Sequence, residues 1–92
     1  MPVYYVYILK CTSIKTGVHT LYTGSTQDLI KRVEQHRTGK GARYTKGKHI
    51  ELGYFETVLS RSAAMKREYE IKTYSVKMKH ELLEKFHEMP QK

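Results

Sequence analysis

The segment that most constrains the fold is residues 3–11, with the sequence Val-Tyr-Tyr-Val-Tyr-Ile-Leu-Lys-Cys. β-Branched and aromatic residues in such density favour a β-strand. Side chains alternate between the two faces of a strand, so Tyr5 and Tyr7 share one face while Val6 and Ile8 share the other. Because both faces are apolar, we expect this strand to lie at the centre of a sheet and to be covered on both sides.

Two further stretches have strand character. Residues 19–24 follow a short connection that contains Gly17, so we expect this strand to be the antiparallel neighbour of the first. Residues 50–59 are the third strand, and their packing candidates are Leu52, Tyr54 and Phe55. The glycine-rich residues 39–49 between these two strands predict a loop.

A helix is predicted directly after the second strand. Its expected N-cap is Ser25 or Thr26, because hydroxyl side chains favour helix starts. Its expected end is near Gly39, because glycine favours the turn that follows a helix. The predicted buried stripe of this helix consists of Leu29, Ile30 and Val33.

Two more helical segments complete the chain, over about residues 61–74 and 76–86. The element order is therefore β-β-α-β-α-α, which predicts the α+β class with helices packed against a mostly antiparallel sheet. A length of 92 residues predicts a single domain, residues 1–92, with a frayed tail at residues 87–92.

The composition limits where such a chain works. Cys11 is the single cysteine, so an internal disulfide is excluded and a reducing compartment is favoured. The N-terminus does not have the pattern of a signal peptide, and no apolar run is long enough to cross a membrane. We therefore expect a cytoplasmic protein without membrane association.

Positive charge is concentrated in the first half of the chain. The net charge is +8, and residues 1–49 hold nine of the 17 Lys and Arg residues against only Asp28 and Glu34. A basic cluster of this kind usually means either a polyanionic partner or a solvated face. Tyr44 and three glycines lie within the basic loop, which favours contact with a nucleic-acid backbone over simple solvation.

The stretch from residue 21 to residue 36 combines a strand, a glycine turn and a helix. Arg32 and His36 are four residues apart, so they share one face of that helix. A guanidinium and an imidazole placed behind a glycine turn are suited to holding a phosphate group. Tyr22 and Ser25 are the other reactive groups of this stretch.

Glu68 is the most informative acidic residue. It shares a helical stripe with Ala64 and Ile71, and a carboxylate on an apolar stripe costs free energy unless it is paired or binds a metal. An ion pair with Lys or Arg from another element is the simpler interpretation. A lone carboxylate with open positions suits Mg²⁺ or Mn²⁺, whereas the scattered histidines and the single cysteine disfavour zinc.

Taken together, these residues resemble the GIY-YIG nuclease superfamily, in particular its small stand-alone bacterial members. The resemblance rests on Tyr5-Val6-Tyr7, on Tyr22-Thr23-Gly24 and on the later Arg32, His36 and Glu68. Ten residues separate Tyr22 from Arg32, and four separate Arg32 from His36. Tyr5 and Thr23 stand where the family has glycine and isoleucine. The resemblance covers a core of about residues 4–75, with 76–86 as a C-terminal helical extension.

The resemblance implies a three-stranded antiparallel sheet flanked by helices, and it implies a role for each matching residue. Glu68 would hold one divalent metal, Mg²⁺ or Mn²⁺. Tyr7 would be the general base for the attacking water, and Tyr22 would help to position that water. Arg32 would bind the scissile phosphate and His36 would assist proton transfer or phosphate binding. Gly24 would shape the turn at the site.

The function that follows from the resemblance is metal-dependent hydrolysis of DNA, in repair, recombination or turnover. Nucleic-acid binding without sequence preference is expected through six basic residues: Lys31, Arg37, Lys40, Arg43, Lys46 and Lys48. A protein partner could supply target choice, because the better-known members carry a separate DNA-binding domain. The alternative is a nucleic-acid-binding module whose nuclease activity is vestigial or depends on a partner. A weaker option is a protein-interaction domain that uses the third helix.

Overall fold

The computed structural model describes residues 2–88, and its central element is the strand predicted from the two-sided apolar pattern. Strand β1 spans Tyr4–Ser13 and lies between β2 (His19–Thr26) and β3 (Lys48–Val58). Both neighbours are antiparallel to β1. The predicted three-stranded antiparallel sheet with a central first strand is therefore confirmed.

Three helices flank this sheet in the predicted order. They are α1 (Leu29–Arg37), α2 (Arg61–Lys72) and α3 (Val76–Glu88), and a short 3₁₀ turn at Arg43–Thr45 lies in the predicted basic loop. Helix α3 extends two residues into the segment expected to be a frayed tail, and the remainder of that tail lies outside the described residues. Within residues 2–88, no helix combines the length and the apolar character that a membrane span requires.

Each face of β1 faces its own hydrophobic core. One face packs against α2 and α3 in a cluster formed by Val6, Ile8, Ala64, Ile71 and Leu83. The other face packs against α1 in a cluster formed by Tyr7, Leu9, Cys11, Val33 and Ile50. Cys11 is buried in this second cluster, and burial raises the pKa of its thiol.

Helix α1 begins later than the sequence predicts. Ser25 and Thr26 are the last residues of β2, because β2 keeps its pairing with β1 up to Thr26, and they do not cap the helix. Asp28 is the N-cap, and its carboxylate accepts a hydrogen bond from the backbone N–H of Lys31 at 3.1 Å. This later start frees the Ser25 hydroxyl for a contact with α2.

The buried stripe of α1 also differs from the prediction. Ile30 is 86% exposed, while Leu29, Val33 and His36 face the sheet. Positions 29, 33 and 36 follow the i, i+4, i+7 spacing of one helix face, and Ile30 is rotated away from it by about 100°. A polar residue, His36, therefore occupies the third core position of α1.

An ion pair anchors α2 to the sheet. Arg67 Nε lies 3.0 Å from a carboxylate oxygen of Glu56 on β3. The same guanidinium donates to the hydroxyl of Tyr74 at 3.0 Å, just beyond the end of α2. Glu68 is next to this anchor in the chain, so the anchor holds it at a defined place over the sheet.

Substitutions of Ile71 and Ile30 by alanine test this packing. Ile71→Ala removes a completely buried side chain, so we expect the free energy of unfolding to fall by about 2–5 kcal/mol. Ile30→Ala is the matched control on another helix and should change it by less than about 0.5 kcal/mol. Urea denaturation followed by circular dichroism measures both, and equal losses would contradict the packing described.

Candidate active site

The centre of the candidate site is a buried hydrogen bond between a tyrosine and a histidine. Tyr7 on β1 and His36 on α1 are 1% and 0% exposed, and Tyr7 Oη lies 3.0 Å from His36 Nε2. They meet because both residues point into the core between β1 and α1. The structure thus brings together two residues that are 29 positions apart in the sequence.

The other nitrogen of His36 is hydrogen-bonded to Thr45, a residue that no sequence motif marks as functional. His36 Nδ1 lies 2.9 Å from Thr45 Oγ1, and that hydroxyl donates its own proton to the carbonyl of Ala42 at 2.9 Å. Thr45 can therefore only accept from His36, which places the imidazole proton on Nδ1. His36 Nε2 is then an acceptor, and Tyr7 Oη–H donates to it.

Two glycines let the backbone approach this pair closely. Gly24 pairs with Tyr7 across β1 and β2, and a Cβ at that position would lie 2.5 Å from Tyr7 Oη. A Cβ at Gly41 would lie 2.8 Å from His36 Cγ. Gly24 lies within β2, where the absence of a Cβ makes room for the phenol itself, and it does not form the turn that the resemblance implied. Gly41 and Thr45 have no sequence signature, since their role depends on how the loop folds over His36.

Tyr22 lies on the same face of the sheet as Tyr7. It pairs with Leu9 across the two strands, and its ring centroid is 5.1 Å from that of His36. The ring of Tyr44, in the 3₁₀ turn, lies 5.7 Å from the ring of Tyr22. The rings of Tyr7 and Tyr22 therefore both lie against His36.

Arg32 sets the charge of the site. It is half-buried, and its guanidinium donates to Gln35 Oε1 at 3.1 Å. Burial raises the pKa of Tyr7, and the nearby Arg32 opposes that rise. Burial lowers the pKa of His36, and the Arg32 charge lowers it further. At neutral pH the pair therefore consists of a protonated phenol and a neutral imidazole.

Glu68 lies at the edge of the sheet, beside β2. Its carboxylate accepts from Ser25 Oγ at 2.6 Å and from Lys72 Nζ at 2.7 Å. Ser25 pairs with Val6, so its side chain lies on the sheet face opposite to Tyr7. The edge strand thus separates Glu68 from the phenol, although the Glu68 charge still contributes to raising the Tyr7 pKa. The ion pair expected with another element is instead formed within α2.

A hard divalent cation fits one part of this arrangement. The described residues contain no group of three or more His, Cys, Asp or Glu side chains that could hold a metal. Glu68 is a single carboxylate oriented by Ser25, and each of its oxygens keeps a lone pair beyond its present partner. Lys72 is half-exposed on a flexible stem, so it can move aside. Mg²⁺ and Mn²⁺ accept such a site, because they keep several waters as ligands.

The six basic residues predicted to contact nucleic acid differ in their surroundings. Arg37 forms an exposed ion pair with Glu34 at 3.8 Å. Lys48 Nζ lies 3.8 Å from the centroid of the Tyr44 ring. The remaining four are exposed, on α1 or in the loop after it: Lys31, Lys40, Arg43 and Lys46. Two of the six are therefore held by contacts with other side chains.

The chain resembles proteins of known family over most of its length. A family model described as the GIY-YIG catalytic domain matches residues 3–81. A UPF0213 protein of Haloquadratum walsbyi is 44% identical over 82 residues, which are 88% of this chain and 86% of the relative. A UPF0213 protein of Staphylococcus epidermidis is 45% identical over 85 residues, 91% of this chain and 98% of the relative.

One solved structure is similar in both sequence and fold. It is the solution NMR structure of a UPF0213 protein of Bacillus halodurans, which is 40% identical to this chain. The match covers 89% of this chain and 83% of that one, with a TM-score of 0.52. The α+β architecture with a three-stranded antiparallel sheet agrees with this neighbour.

The lowered pKa of His36 predicts how stability depends on pH. The unfolded chain binds a proton at His36 near the ordinary pKa of 6.5, and the folded protein binds it only at lower pH. As the pH falls below 6.5 the unfolded state takes up more protons, so the free energy of unfolding decreases. Urea denaturation across this range should show that slope, and His36→Gln should reduce it.

His80→Gln is the control for this experiment, because His80 is exposed on α3. It should keep the slope of the unsubstituted protein. A slope that is unchanged in His36→Gln would contradict the assignment of the pH dependence to the buried imidazole.

Proposed function

The chain belongs to the GIY-YIG catalytic domain family, and from this premise we propose that it hydrolyses phosphodiester bonds of DNA with the help of one Mg²⁺ or Mn²⁺ ion. The proposed setting is DNA repair, recombination or turnover in the cytoplasm. One observation carries the proposal: the buried hydrogen-bonded chain of Tyr7, His36 and Thr45 lies beside the guanidinium of Arg32. These three hydrogen-bonded side chains can take a proton from water next to a group that binds phosphate.

Tyr7 and His36 act together as the base in this proposal. A buried phenol with a raised pKa is not ionised at neutral pH, so Tyr7 alone is a poor base. Tyr7 Oη instead accepts a proton from the attacking water while its own proton passes to His36 Nε2. The lowered pKa of His36 keeps the imidazole neutral and able to accept that proton. Gly24 lets the backbone of β2 pass close to the phenol, because a Cβ there would lie 2.5 Å from Tyr7 Oη.

Arg32 and Tyr22 hold the reacting groups in place. The guanidinium presents several N–H donors to the non-bridging oxygens of the scissile phosphate, and Gln35 limits its rotation. Its positive charge stabilises the negative charge that grows on the phosphoryl group. Tyr22 is half-buried with its ring against His36, and in this proposal its hydroxyl positions the water.

Glu68 would hold the divalent ion at the edge of β2. A bound Mg²⁺ or Mn²⁺ supplies Lewis-acid stabilisation of phosphoryl and leaving oxygens. Ser25 orients the carboxylate for this task through its 2.6 Å hydrogen bond. Lys72, the present partner of Glu68, remains nearby as a further positive charge for phosphate.

DNA binding in this proposal is electrostatic and without sequence preference. The exposed basic side chains of α1 and the following loop contact phosphate groups, so affinity falls steeply with salt. Target choice is left to a protein partner.

A second candidate is a nucleic-acid-binding module whose cleavage activity is lost or depends on a partner. The ion pair between Glu68 and Lys72 favours it, because it occupies the carboxylate that would hold the metal. The position of Glu68 across the edge strand from Tyr7 also favours it. The two candidates differ in whether the isolated protein cleaves.

Glu68→Gln tests the metal-dependent reaction. The amide keeps the hydrogen bond from Ser25 but loses the charge that a cation requires. We expect cleavage of end-labelled DNA in Mg²⁺ or Mn²⁺ to fall roughly 100-fold or more, because several kcal/mol of charge stabilisation are lost. Broadening of the Ser25 amide NMR signal by Mn²⁺ should disappear as well, which is a readout independent of activity.

Glu81→Gln is the control variant, because Glu81 is an exposed carboxylate on α3. It should cleave like the unsubstituted protein. Full activity of folded Glu68→Gln on all DNA substrates would exclude the proposed reaction. Absence of cleavage by the unsubstituted protein, with DNA binding retained, would favour the second candidate.

Thr45→Val tests the proton relay. Valine has a similar shape but cannot accept from His36 Nδ1–H, so the imidazole tautomer is no longer held. We expect cleavage to fall about 10- to 100-fold, the loss typical when the partner that orients a metal-bound histidine is removed. Thr45→Ser keeps the hydroxyl and should retain most of the activity.

The ¹⁵N shifts of the His36 ring measure the tautomer directly. The unsubstituted protein and Thr45→Ser should carry the proton on Nδ1, and Thr45→Val should populate the other tautomer. Equal activity and equal ring shifts in all three proteins would show that Thr45 does not act through His36.

A further inference from the structure

A second basic concavity lies outside the candidate active site, between the edge strand and the last helix. It is a groove of about 600 Å³, and four of its lining side chains are Lys or His. They come from three elements: Lys10 from β1, His19 from β2, and Lys79 and His80 from α3. None of these residues belongs to the basic set of α1 and its following loop.

The charge of this groove is poorly compensated within the described part of the chain. Lys10 pairs with Glu51 at 3.8 Å, but both side chains are about half-exposed, so the pair is weak. Lys79 is half-buried, and among the described residues no carboxylate lies within 4.0 Å of its amine. An anion bound in the groove would supply an opposite charge for the Lys79 amine.

The groove has an apolar wall as well as positive charge. Leu21 and Tyr44 line it together with the basic side chains. A ligand with both an anionic and an apolar part matches this lining. A nucleotide, with its phosphate, sugar and base, has that combination.

Tyr44 connects the groove to the candidate active site. Its ring lies 5.7 Å from that of Tyr22 on the catalytic face, and it also lines the groove. Lys48 Nζ lies 3.8 Å from the Tyr44 ring centroid and 3.5 Å from the hydroxyl of Thr20 on β2. A continuous path of aromatic and basic side chains therefore crosses the edge of β2 from one sheet face to the other.

The pairing of β1 with β2 shows where the groove lies relative to Glu68. Both lie beside the edge strand β2, at different positions along it. Lys10 pairs with Leu21, and Ser25, the partner of Glu68, lies further along the same face of β2. From His19 to Ser25, β2 extends over roughly 20 Å at about 3.3 Å per residue. A nucleic-acid strand with a phosphate held near Glu68 would thus span several nucleotides before it reached the far end of the groove.

We propose that this groove binds phosphate groups of a nucleic-acid strand that passes over the edge of β2 from the candidate active site. The proposal rests on the proposed function in taking nucleic acid as the ligand, but it does not require cleavage. The concave shape and the continuity through Tyr44 favour a strand over a flat anionic surface. The contacts are to phosphate, so they add affinity and direction without reading sequence.

The test is binding of a labelled oligonucleotide in EDTA, where metal-dependent cleavage cannot interfere. Lys79→Gln removes one positive charge from the lining of the groove. Lys77→Gln is the matched control, because Lys77 is exposed on the same helix and does not line the groove. Circular dichroism confirms that both variants are folded.

We expect Lys79→Gln to weaken binding several-fold at moderate salt and to reduce the slope of log Kd against log salt by about 1. Lys77→Gln should have a clearly smaller effect on both quantities. In NMR titrations of the unsubstituted protein, the amides of His19 and His80 should shift when the oligonucleotide is added. Equal effects of the two lysine variants, or groove amides that do not shift, would overturn the proposal.

Titration with a nucleoside 5′-monophosphate distinguishes a site for a nucleic-acid strand from a site for a free nucleotide. If it shifts the groove amides weakly and the oligonucleotide shifts them strongly, the proposal is supported. If only the mononucleotide shifts them, the groove is a site for a free nucleotide and the proposal fails. If Lys79→Gln weakens binding but the unsubstituted protein does not cleave DNA, the groove proposal is supported and the proposed nuclease activity is rejected. Failure of one proposal is therefore distinguishable from failure of the other.

Discussion

The burial of β1 on both faces is the constraint on which the rest of this structure depends. Consecutive residues of a central strand point into different cores, so Val6 packs against α2 and α3 while Tyr7 points towards α1. A chain of 92 residues has few helices with which to cover the two faces of the sheet. Each helix therefore packs against one face only. The division explains why the candidate catalytic groups lie on both sides of the sheet.

The polar centre of the α1 face is tolerated because it is fully paired. Burying a phenol and an imidazole costs free energy unless each donor finds an acceptor. The chain from Tyr7 through His36 to Thr45 ends at the carbonyl of Ala42, so each of its donors has an acceptor. The same connection directs a proton from Tyr7 to His36, so one set of hydrogen bonds stabilises the fold and prepares the proposed chemistry.

The edge strand β2 is where the two halves of the site meet. Tyr22 lies on one face of it and Ser25 on the other, so Glu68 comes near the phenol only by packing beside this edge. An exposed sheet edge is a place where other chains can pair, and positive charge is one way to prevent that. Lys48 and the proposed groove place positive charge along β2, where it would also attract a polyanion.

The sequence by itself determined the elements, the central strand and the residues that resemble a family, because apolar periodicity and motif spacing are local properties. It placed Tyr7, Arg32 and His36 on elements that do meet. Only the tertiary structure decided which partners they meet, since Thr45 reaches His36 through a loop whose course no local pattern encodes. The same holds for Ile30, which the apolar pattern placed in the core: whether a residue at the border of a helix stripe is buried depends on how the helix is oriented against the sheet.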